Sequence, residues 1–330
     1  MSHYLSRRVA LAAITAGAFL GAFASLSSEV RAQNVKEIRI DFATYNPVSL
    51  VLKDKGFLEK EFEKDGITVR WVQSAGSNKA LEFLNAGSLD FGSTAGAAAL
   101  IGRINGNPIK SVYVYSRPEW TALVTKPASG IKTVADLKDK RVAVTRGTDP
   151  HIFLVRALAE AKLTEKDVKL VLLQHADGRL ALERGDVDAW AGLDPMMAAS
   201  EIEGGSVLFH RNAAANTWGI LNVREAFAKE NPELVKRVLS TYEKARKYTL
   251  ENPAELKKIF IDLTKLPETV VDRQLGQRTE LTHSAIGAAQ AETILAAGNA
   301  LKEAGVLPAN TDVKATVDAL IDSSYLSAGK

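Results

Sequence analysis

Three short segments carry the residue types best suited to holding an anion. They are Ser74-Ala75-Gly76-Ser77-Asn78, Gly92-Ser93-Thr94-Ala95-Gly96 and Arg146-Gly147-Thr148-Asp149-Pro150-His151. Each follows an apolar, β-branched run and precedes a helical pattern, so each is expected to sit where a strand gives way to a helix. The first amides of a helix have no intrahelical acceptor. They favour an oxyanion, and Ser or Thr hydroxyls add further donors. The competing reading is ordinary N-capping, which the same residue types perform in any protein. Ser77, Asn78, Ser93, Thr94, Gly147, Thr148 and His151 are the candidate ligand-binding residues of these segments. His151, in a first helical turn, is expected to be a neutral donor, or a cation only when an anion is bound, since a helix N-terminus lowers a histidine pKa.

Catalytic chemistry finds less support. The chain has no cysteine, which removes thiol nucleophiles and thiolate metal sites. Its histidines form neither an HExxH nor an HxH pair, so no metal site is expected, and neither a P-loop nor a GxGxxG fingerprint is present. Gly92-Ser93-Thr94-Ala95-Gly96 has the glycine spacing of a nucleophile elbow, but Thr94 stands at its centre. Asp186 and Asp188 flank a turn and suit solvation or capping better than acid/base work. No catalytic residue and no cofactor is assigned.

Aromatic side chains supply candidate walls. Trp120, Trp190 and Trp218 fall at strand ends or near an expected hinge, and Tyr45 and Asn46 follow the first strand. Trp190, inside a short strand, reads as core. Tyr45, Asn46, Trp120 and Trp218 remain candidates for the ligand side.

The elements that must position these residues alternate. Strand patterns at 37–42, 67–73, 89–92, 109–115 and 121–125 are interleaved with helical patterns at 47–55, 78–86 and 95–105. The pattern restarts after Pro127–Gly130, with strands at 141–145, 168–174 and 189–192 and helices at 150–161, 178–184 and 195–203. Trp218–Val223 is the last clear strand. Beyond it the chain reads as helical, with Pro232, Pro253 and Pro267 at first-turn positions. Strand–helix alternation implies parallel sheets covered by helices. Leu84-x-x-Gly87-x-Leu89-Asp90 is echoed by Leu182-x-x-Gly185-x-Val187-Asp188, and each copy is preceded by a strand ending in Gln, at Gln73 and Gln174. The echo is either a chance recurrence of a common turn or the mark of two similar α/β lobes. On the second reading one lobe spans 33–126 plus 217–330 and the other 127–216, with a hinge near Lys126–Gly130 and Ala213–Trp218 and a cleft between them. In open α/β sheets ligands sit at the carboxyl ends of strands, where the three segments fall.

The first 32 residues have another task. Arg7 and Arg8 precede an uncharged run from Val9 to Ser28, and Val30-Arg31-Ala32 supplies a cleavage sequence. These are the three parts of a signal peptide, with cleavage expected after Ala32. A retained anchor is the rival, disfavoured by the Ala and Gly content of the run. Ser6-Arg7-Arg8-Val9 leaves the twin-arginine route open beside the general one. The 42 basic and 39 acidic residues fall to 39 and 38 once Arg7, Arg8, Arg31 and Glu29 are removed. That balance argues against a nucleic-acid partner.

Taken with these features, SAGSNKALEFLNAGSLDFGSTAG (74–96), SGIKTVADLKDKRVAVTRGTDPHIFLVRALAEA (129–161) and GDVDAWAGLDPMMAASE (185–201) are similar to segments of the solute-binding proteins of aliphatic sulfonate, taurine and nitrate ABC importers. The likeness runs over about residues 36–260 and is strongest to the sulfonate branch. It implies the type II periplasmic-binding-protein fold: two α/β lobes with a hinge and an interlobe cleft. It further implies a monomer that works in the periplasm and delivers a small oxyanion to an inner-membrane permease. Carried over by position, Ser77, Asn78, Ser93 and Thr94 would meet the ligand from the first lobe and Gly147, Thr148 and His151 from the second. Asp194 stands where sulfonate binders often read Trp-Asp-Pro. Here Leu193 replaces the tryptophan, leaving Trp120 or Trp218 to supply an aromatic wall. Desulfinases, a dehydratase and pyrimidine synthases share this fold, so an enzyme is the alternative from another class, and a sensor domain is a third. The missing cysteine removes the desulfinase nucleophile.

Overall fold

The computed structural model describes residues 35–326. The signal sequence and cleavage point expected at residues 1–32 lie outside them.

The chain opens with β1 (Glu37–Phe42), α1 (Pro47–Asp54), α2 (Phe57–Phe62), β2 (Thr68–Gln73), α3 (Ser77–Asn85), β3 (Phe91–Ala95), α4 (Gly96–Ile104) and β4 (Ile109–Pro118). It continues with β5 (Thr121–Thr125), β6 (Arg141–Val144), α5 (Asp149–Glu160), β7 (Lys169–Leu172), α6 (His175–Arg184), β8 (Ala189–Leu193), α7 (Met196–Ile202) and β9 (Val207–His210). β10 (Gly219–Arg224) is followed by α8 (Glu225–Glu230), α9 (Pro232–Glu251), α10 (Pro253–Thr264), α11 (Glu268–Gln277), β11 (Thr279–Glu280), α12 (Ala288–Glu303) and α13 (Val313–Leu320).

Two sheets organise these elements, ordered β2-β1-β3-β10-β4-β11 and β7-β6-β8-β5-β9. In each, three parallel strands are followed by strands antiparallel to their neighbours, three in the first sheet and two in the second. The lobes therefore match strand for strand: β2, β1, β3, β10 and β4 correspond to β7, β6, β8, β5 and β9. Helix α3 corresponds to α6, and α1 to α5.

The sequence echo is the same anchor built twice. In the first lobe Asp90 accepts from the Arg39 amide at 3.0 Å and from its guanidinium at 3.0 and 2.7 Å, while the guanidinium also reaches Gly87 O. In the second, Asp188 accepts from the Arg141 amide at 2.8 Å and from its guanidinium at 3.3 and 2.9 Å, and the guanidinium reaches Gly185 O. Each carboxylate clamps the start of the central parallel strand to the turn that ends α3 or α6. Such two-pronged arginine–carboxylate bonds fix orientation as well as adding energy.

The hydrophobic core explains the remaining elements. Ile38 and Ile40 of β1 are fully buried among Val48, Val51, Leu52 and Phe62. Helix α9 adds Val235, Val238, Leu239, Tyr242 and Ala245, spaced three and four apart, to the same cluster. Each such aliphatic side chain contributes about 1.5–3 kcal/mol by leaving water. Pro232 and Pro253 occupy the first positions of α9 and α10, where a missing N–H costs nothing. Pro267 is the N-cap of α11 rather than a first-turn residue.

Three expectations change. Thr121–Thr125 pairs with β8 and β9, so it belongs to the second sheet, and the chain leaves the first sheet at Glu119-Trp120 rather than at Lys126–Gly130. A strand's own pattern does not name its sheet; β5 fills the position that β10 fills in the first lobe. The strand expected at Leu89–Gly92 instead runs Phe91–Ala95, so Ser93 and Thr94 lie inside β3 and not at a helix start. The helix begins at Gly96, where an added Cβ would lie 2.5 Å from Thr217 O. Strands β9 and β11 were not expected.

Candidate functional site

The carboxyl ends of both sets of parallel strands face a small cavity. From the first lobe it is lined by Tyr45 and Ser77, and from the second by Thr148, Asp149, Pro150, His175 and Leu193, with Trp120 at the crossing. The correspondence between lobes accounts for this set. Ser77 and His175 open the equivalent helices α3 and α6, and Asn46 and Thr148 occupy the equivalent positions just before α1 and α5. A larger, open groove lies elsewhere, at the far end of α4 beside Arg103, Glu225 and Asp312. Its arginine is already paired with Glu225 at 2.7 Å.

Helices α3, α5 and α6 start at the cavity with no side-chain cap on Gly76, Thr148 or Gln174. The amides of Ser77 and Asn78, and of His175 and Ala176, donate to nothing among the described residues. The positive ends of the helix dipoles add to these donors. Ser77 Oγ accepts from the Ala95 amide at 3.0 Å, which leaves its own hydrogen free. None of the lining residues is lysine or arginine.

Two buried carboxylates lie on the same side of the molecule. Asp149 accepts from Trp120 Nε1 at 2.8 Å, from the Thr217 amide at 3.1 Å and from Thr217 Oγ1 at 2.5 Å. Burial pushes its pKa up, against the pull of those neutral donors. Asp41, at the end of β1, accepts from the Ser93 amide at 2.9 Å and from Ser93 Oγ at 2.8 Å, while its Oδ2 has no partner. Burial raises its pKa to about 6.

The residues singled out from the sequence separate into groups. Tyr45, Ser77, Trp120 and Thr148 line the cavity. The Tyr45 hydroxyl donates to Ser93 O at 3.0 Å, and the Trp120 and Tyr45 rings meet edge to face at 6.0 Å. Thr148 Oγ1 donates to Thr145 O at 2.6 Å, and Gly147 takes a φ of 78° in the turn before it. Asn78 Oδ1 is buried and unpartnered.

Asn46, Ser93 and Thr94 form a network beneath the cavity and not part of its lining. Asn46 Nδ2 donates to Ser93 Oγ at 2.8 Å and to the Tyr242 hydroxyl at 2.7 Å, and Thr94 Oγ1 accepts from Asn222 Nδ2 at 2.8 Å.

His151, Asp194 and Trp218 are engaged elsewhere. His151 Nε2 lies 2.9 Å from Glu165 Oε1, and this contact holds the Glu165 carboxyl below its usual range. Asp194, joined to Pro195 by a cis peptide, caps α7 through the Ala198 amide at 2.9 Å and pairs with Arg278 at 3.2 Å. Burial raises its pKa to about 6 despite Arg278. Leu193, its neighbour, lines the cavity instead. Trp218 takes a φ of 60° and packs edge to face on His283, with the Arg117 guanidinium 5.3 Å from its ring.

His175 and Asp149 are the residues the sequence reading passed over. Asp149 lies within the Arg146–His151 segment. His175 follows Gln174 as the loop to Ser77 follows Gln73, so the internal echo carried the signal. Gly76 completes the contact: an added Cβ there would lie 2.9 Å from His175 Nε2.

A family model described as NMT1/THI5 like matches residues 47–256. The chain is 30% identical over 246 residues to the putative aliphatic sulfonates-binding protein of Bacillus subtilis strain 168, covering 74% of each. It is 28% identical over 279 residues to the corresponding putative protein of Escherichia coli strain K12, covering 84% of this chain and 87% of the other. It is also similar to the solved structure of the alkanesulfonate-binding protein SsuA from Xanthomonas axonopodis pv. citri bound to MOPS. That match has a TM-score of 0.79 and 26% identity, and covers 88% of this chain and 99% of the other.

Proposed function

The chain belongs to the NMT1/THI5-like family, and on that footing we propose that it is the solute-binding component of an ABC importer, taking an aliphatic sulfonate between its lobes. It acts in the periplasm after loss of residues 1–32, as a monomer, and hands its ligand to an inner-membrane permease. It performs no chemistry on the ligand.

The observation that carries this reading is the meeting of three uncapped helix starts at one cavity without a lysine or arginine in its lining. A sulfonate keeps its charge at every physiological pH and presents three oxygens. Amides and hydroxyls satisfy such a group without a buried counter-charge, whose own desolvation would be costly. Trp120, Tyr45, Pro150 and Leu193 offer the alkyl chain an apolar wall. Each methylene buried there contributes about 0.8 kcal/mol. The lobes part to admit the solute and close over it, a shift of population that the ligand drives by contacting both.

A thermal-shift panel of alkanesulfonates, taurine, nitrate and sulfate tests the reading. A ligand at about one hundred times its Kd stabilises by about 2.7 kcal/mol. Alkanesulfonates are expected to raise the melting temperature and inorganic sulfate and nitrate to do so far less. No shift with any sulfonate would overturn it.

A further inference from the structure

His175 carries an acceptor that oxyanion binding does not use. Its ring is 1% exposed. Thr145 Oγ1 lies 2.8 Å from Leu173 O and 3.2 Å from His175 Nδ1. A carbonyl has no hydrogen to give, so the single hydroxyl hydrogen of Thr145 must go to Leu173 O. The contact with Nδ1 then requires the proton to be on Nδ1. Burial pushes the pKa of this ring down to about 3, so it is neutral at physiological pH. Nε2 is therefore a bare lone pair, buried and without a partner among the described residues.

Nε2 faces the opposite lobe. A methyl group at Gly76 would lie 2.9 Å from Nε2 and 2.8 Å from Asn78 Oδ1. Asn78 Oδ1 is also buried and unpartnered, and the two side chains do not bond each other. Two acceptors, one from each lobe, thus flank the same point beside the starts of α3 and α6. A sulfonate oxygen set against them would place acceptor on acceptor. A buried acceptor left unmet costs about 1–3 kcal/mol, so a solute that meets it gains over one that does not. The buried Asp149 carboxylate, which bounds the cavity with only neutral donors around it, favours the same kind of group.

We propose that the solute carries an N–H or O–H donor on a short chain from its sulfonate, and that His175 Nε2 recognises that donor. The inference rests on the sulfonate reading and narrows it to amino- or hydroxy-substituted short-chain sulfonates.

Isothermal titration of the protein with ethanesulfonate, 2-hydroxyethanesulfonate and 2-aminoethanesulfonate tests it, because the three share one ethyl sulfonate and carry no donor, a neutral donor and a charged donor. The donor-bearing ligands are expected to bind about tenfold or more tightly than ethanesulfonate, since a site built to bond a polar group rejects the analogue lacking it. In His175→Phe the ratio between donor-bearing and plain ligands is expected to fall towards one, whatever happens to absolute affinity. A histidine 15N spectrum of the unsubstituted protein serves if that variant does not fold. The His175 Nε2 resonance should move on adding a donor-bearing ligand and stay with ethanesulfonate. Equal binding of all three, a ratio that survives in His175→Phe, or a stationary Nε2 resonance would overturn the proposal while leaving the sulfonate reading intact. Binding of none would overturn both.

Discussion

Asp149 holds Thr217 with both carboxylate oxygens, Oδ1 accepting from Thr217 Oγ1 at 2.5 Å and Oδ2 from the Thr217 amide at 3.1 Å. Oδ2 also accepts from Trp120 Nε1 at 2.8 Å. Trp120 and Thr217 lie on the two segments by which the chain passes between the sheets, and the Thr121 amide donates to Asn216 Oδ1 at 3.1 Å between them. One buried carboxylate beside the cavity thus ties both crossings to α5. The Arg278 pairing with Asp194 and Glu201 adds a third tie, from the segment after α11 to the second lobe.

Asp149→Asn should destabilise the fold by about 2 kcal/mol, because the amide turns one acceptor into a donor facing another donor. Urea denaturation reads this as a lower midpoint at unchanged slope. An unchanged midpoint would mean that the crossings do not depend on this carboxylate.

Gly76→Ala tests the contact between the loop before α3 and His175. Gly76 has a φ of 150°, and an added Cβ would lie 2.8 Å from Asn78 Oδ1 and 2.9 Å from His175 Nε2. The methyl group would crowd Asn78 within the first lobe and His175 across from it, and the positive φ adds backbone strain. Circular dichroism should be unchanged while titration shows sulfonate affinity reduced about tenfold or more, the effect of roughly 1.4 kcal/mol of strain in the closed form. Undiminished affinity would show that the loop does not close on His175.

The fold should lose stability in acid through His175. Its pKa is depressed by burial from 6.5 to about 3 in the folded chain. A depressed group contributes stability that is present above its unfolded pKa and lost as pH falls towards the folded value. The contribution is thus complete above about pH 6.5, and by pH 4 the loss amounts to on the order of 3 kcal/mol. Asp41 and Asp194 act in the opposite sense, since both are raised to about 6. Their contribution is present below about pH 4 and lost as pH rises through 6. A pH series of unfolding midpoints on the unsubstituted protein and His175→Phe checks this: the acid-side decline should be shallower in the variant.

The repeated anchor gives a comparison within one molecule. Asp90 is fully buried and pairs with both Arg39 and Arg224, whereas Asp188 is 31% exposed and pairs with Arg141. Asp90→Ala should cost about 3 kcal/mol, because it leaves two partly buried guanidinium groups and the Arg39 amide without their acceptor. Asp188→Ala should cost about 1 kcal/mol or less through its ion pair, with a further loss from the Arg141 amide. Chemical denaturation of the two variants checks the order; equal effects would contradict it.

Much of the architecture was legible because it is local. Gly87 and Gly185 end helices, Asp90 and Asp188 turn the chain into strands, and alternating patterns mark the parallel strands of each lobe. What stayed hidden depends on distant partners. Thr121–Thr125 reads as a strand, but only its pairing with Ala189–Leu193 shows which sheet it joins. Ser93 and Thr94 look like a helix start until the Ser93 hydroxyl is seen to donate to Asp41, and Asn222 to donate to Thr94 Oγ1, inside β3. For the site, the loops at Ser77 and Thr148 were visible as small polar segments. His175 was not, because a buried histidine beside a strand end resembles core until the facing Gly76 is known. Asp194 and His151 were drawn from position in a motif, and their partners Arg278 and Glu165 are remote or unremarkable in sequence.

The most direct test is a crystal structure of the protein grown with ethanesulfonate, with the sulfur located by its anomalous signal. The sulfonate is expected between the lobes, with its oxygens on the amides that open α3 and α6 and the Ser77 hydroxyl among its donors. Sulfur density in the groove beside Arg103 and Glu225, or none between the lobes at saturating ligand, would contradict this placement.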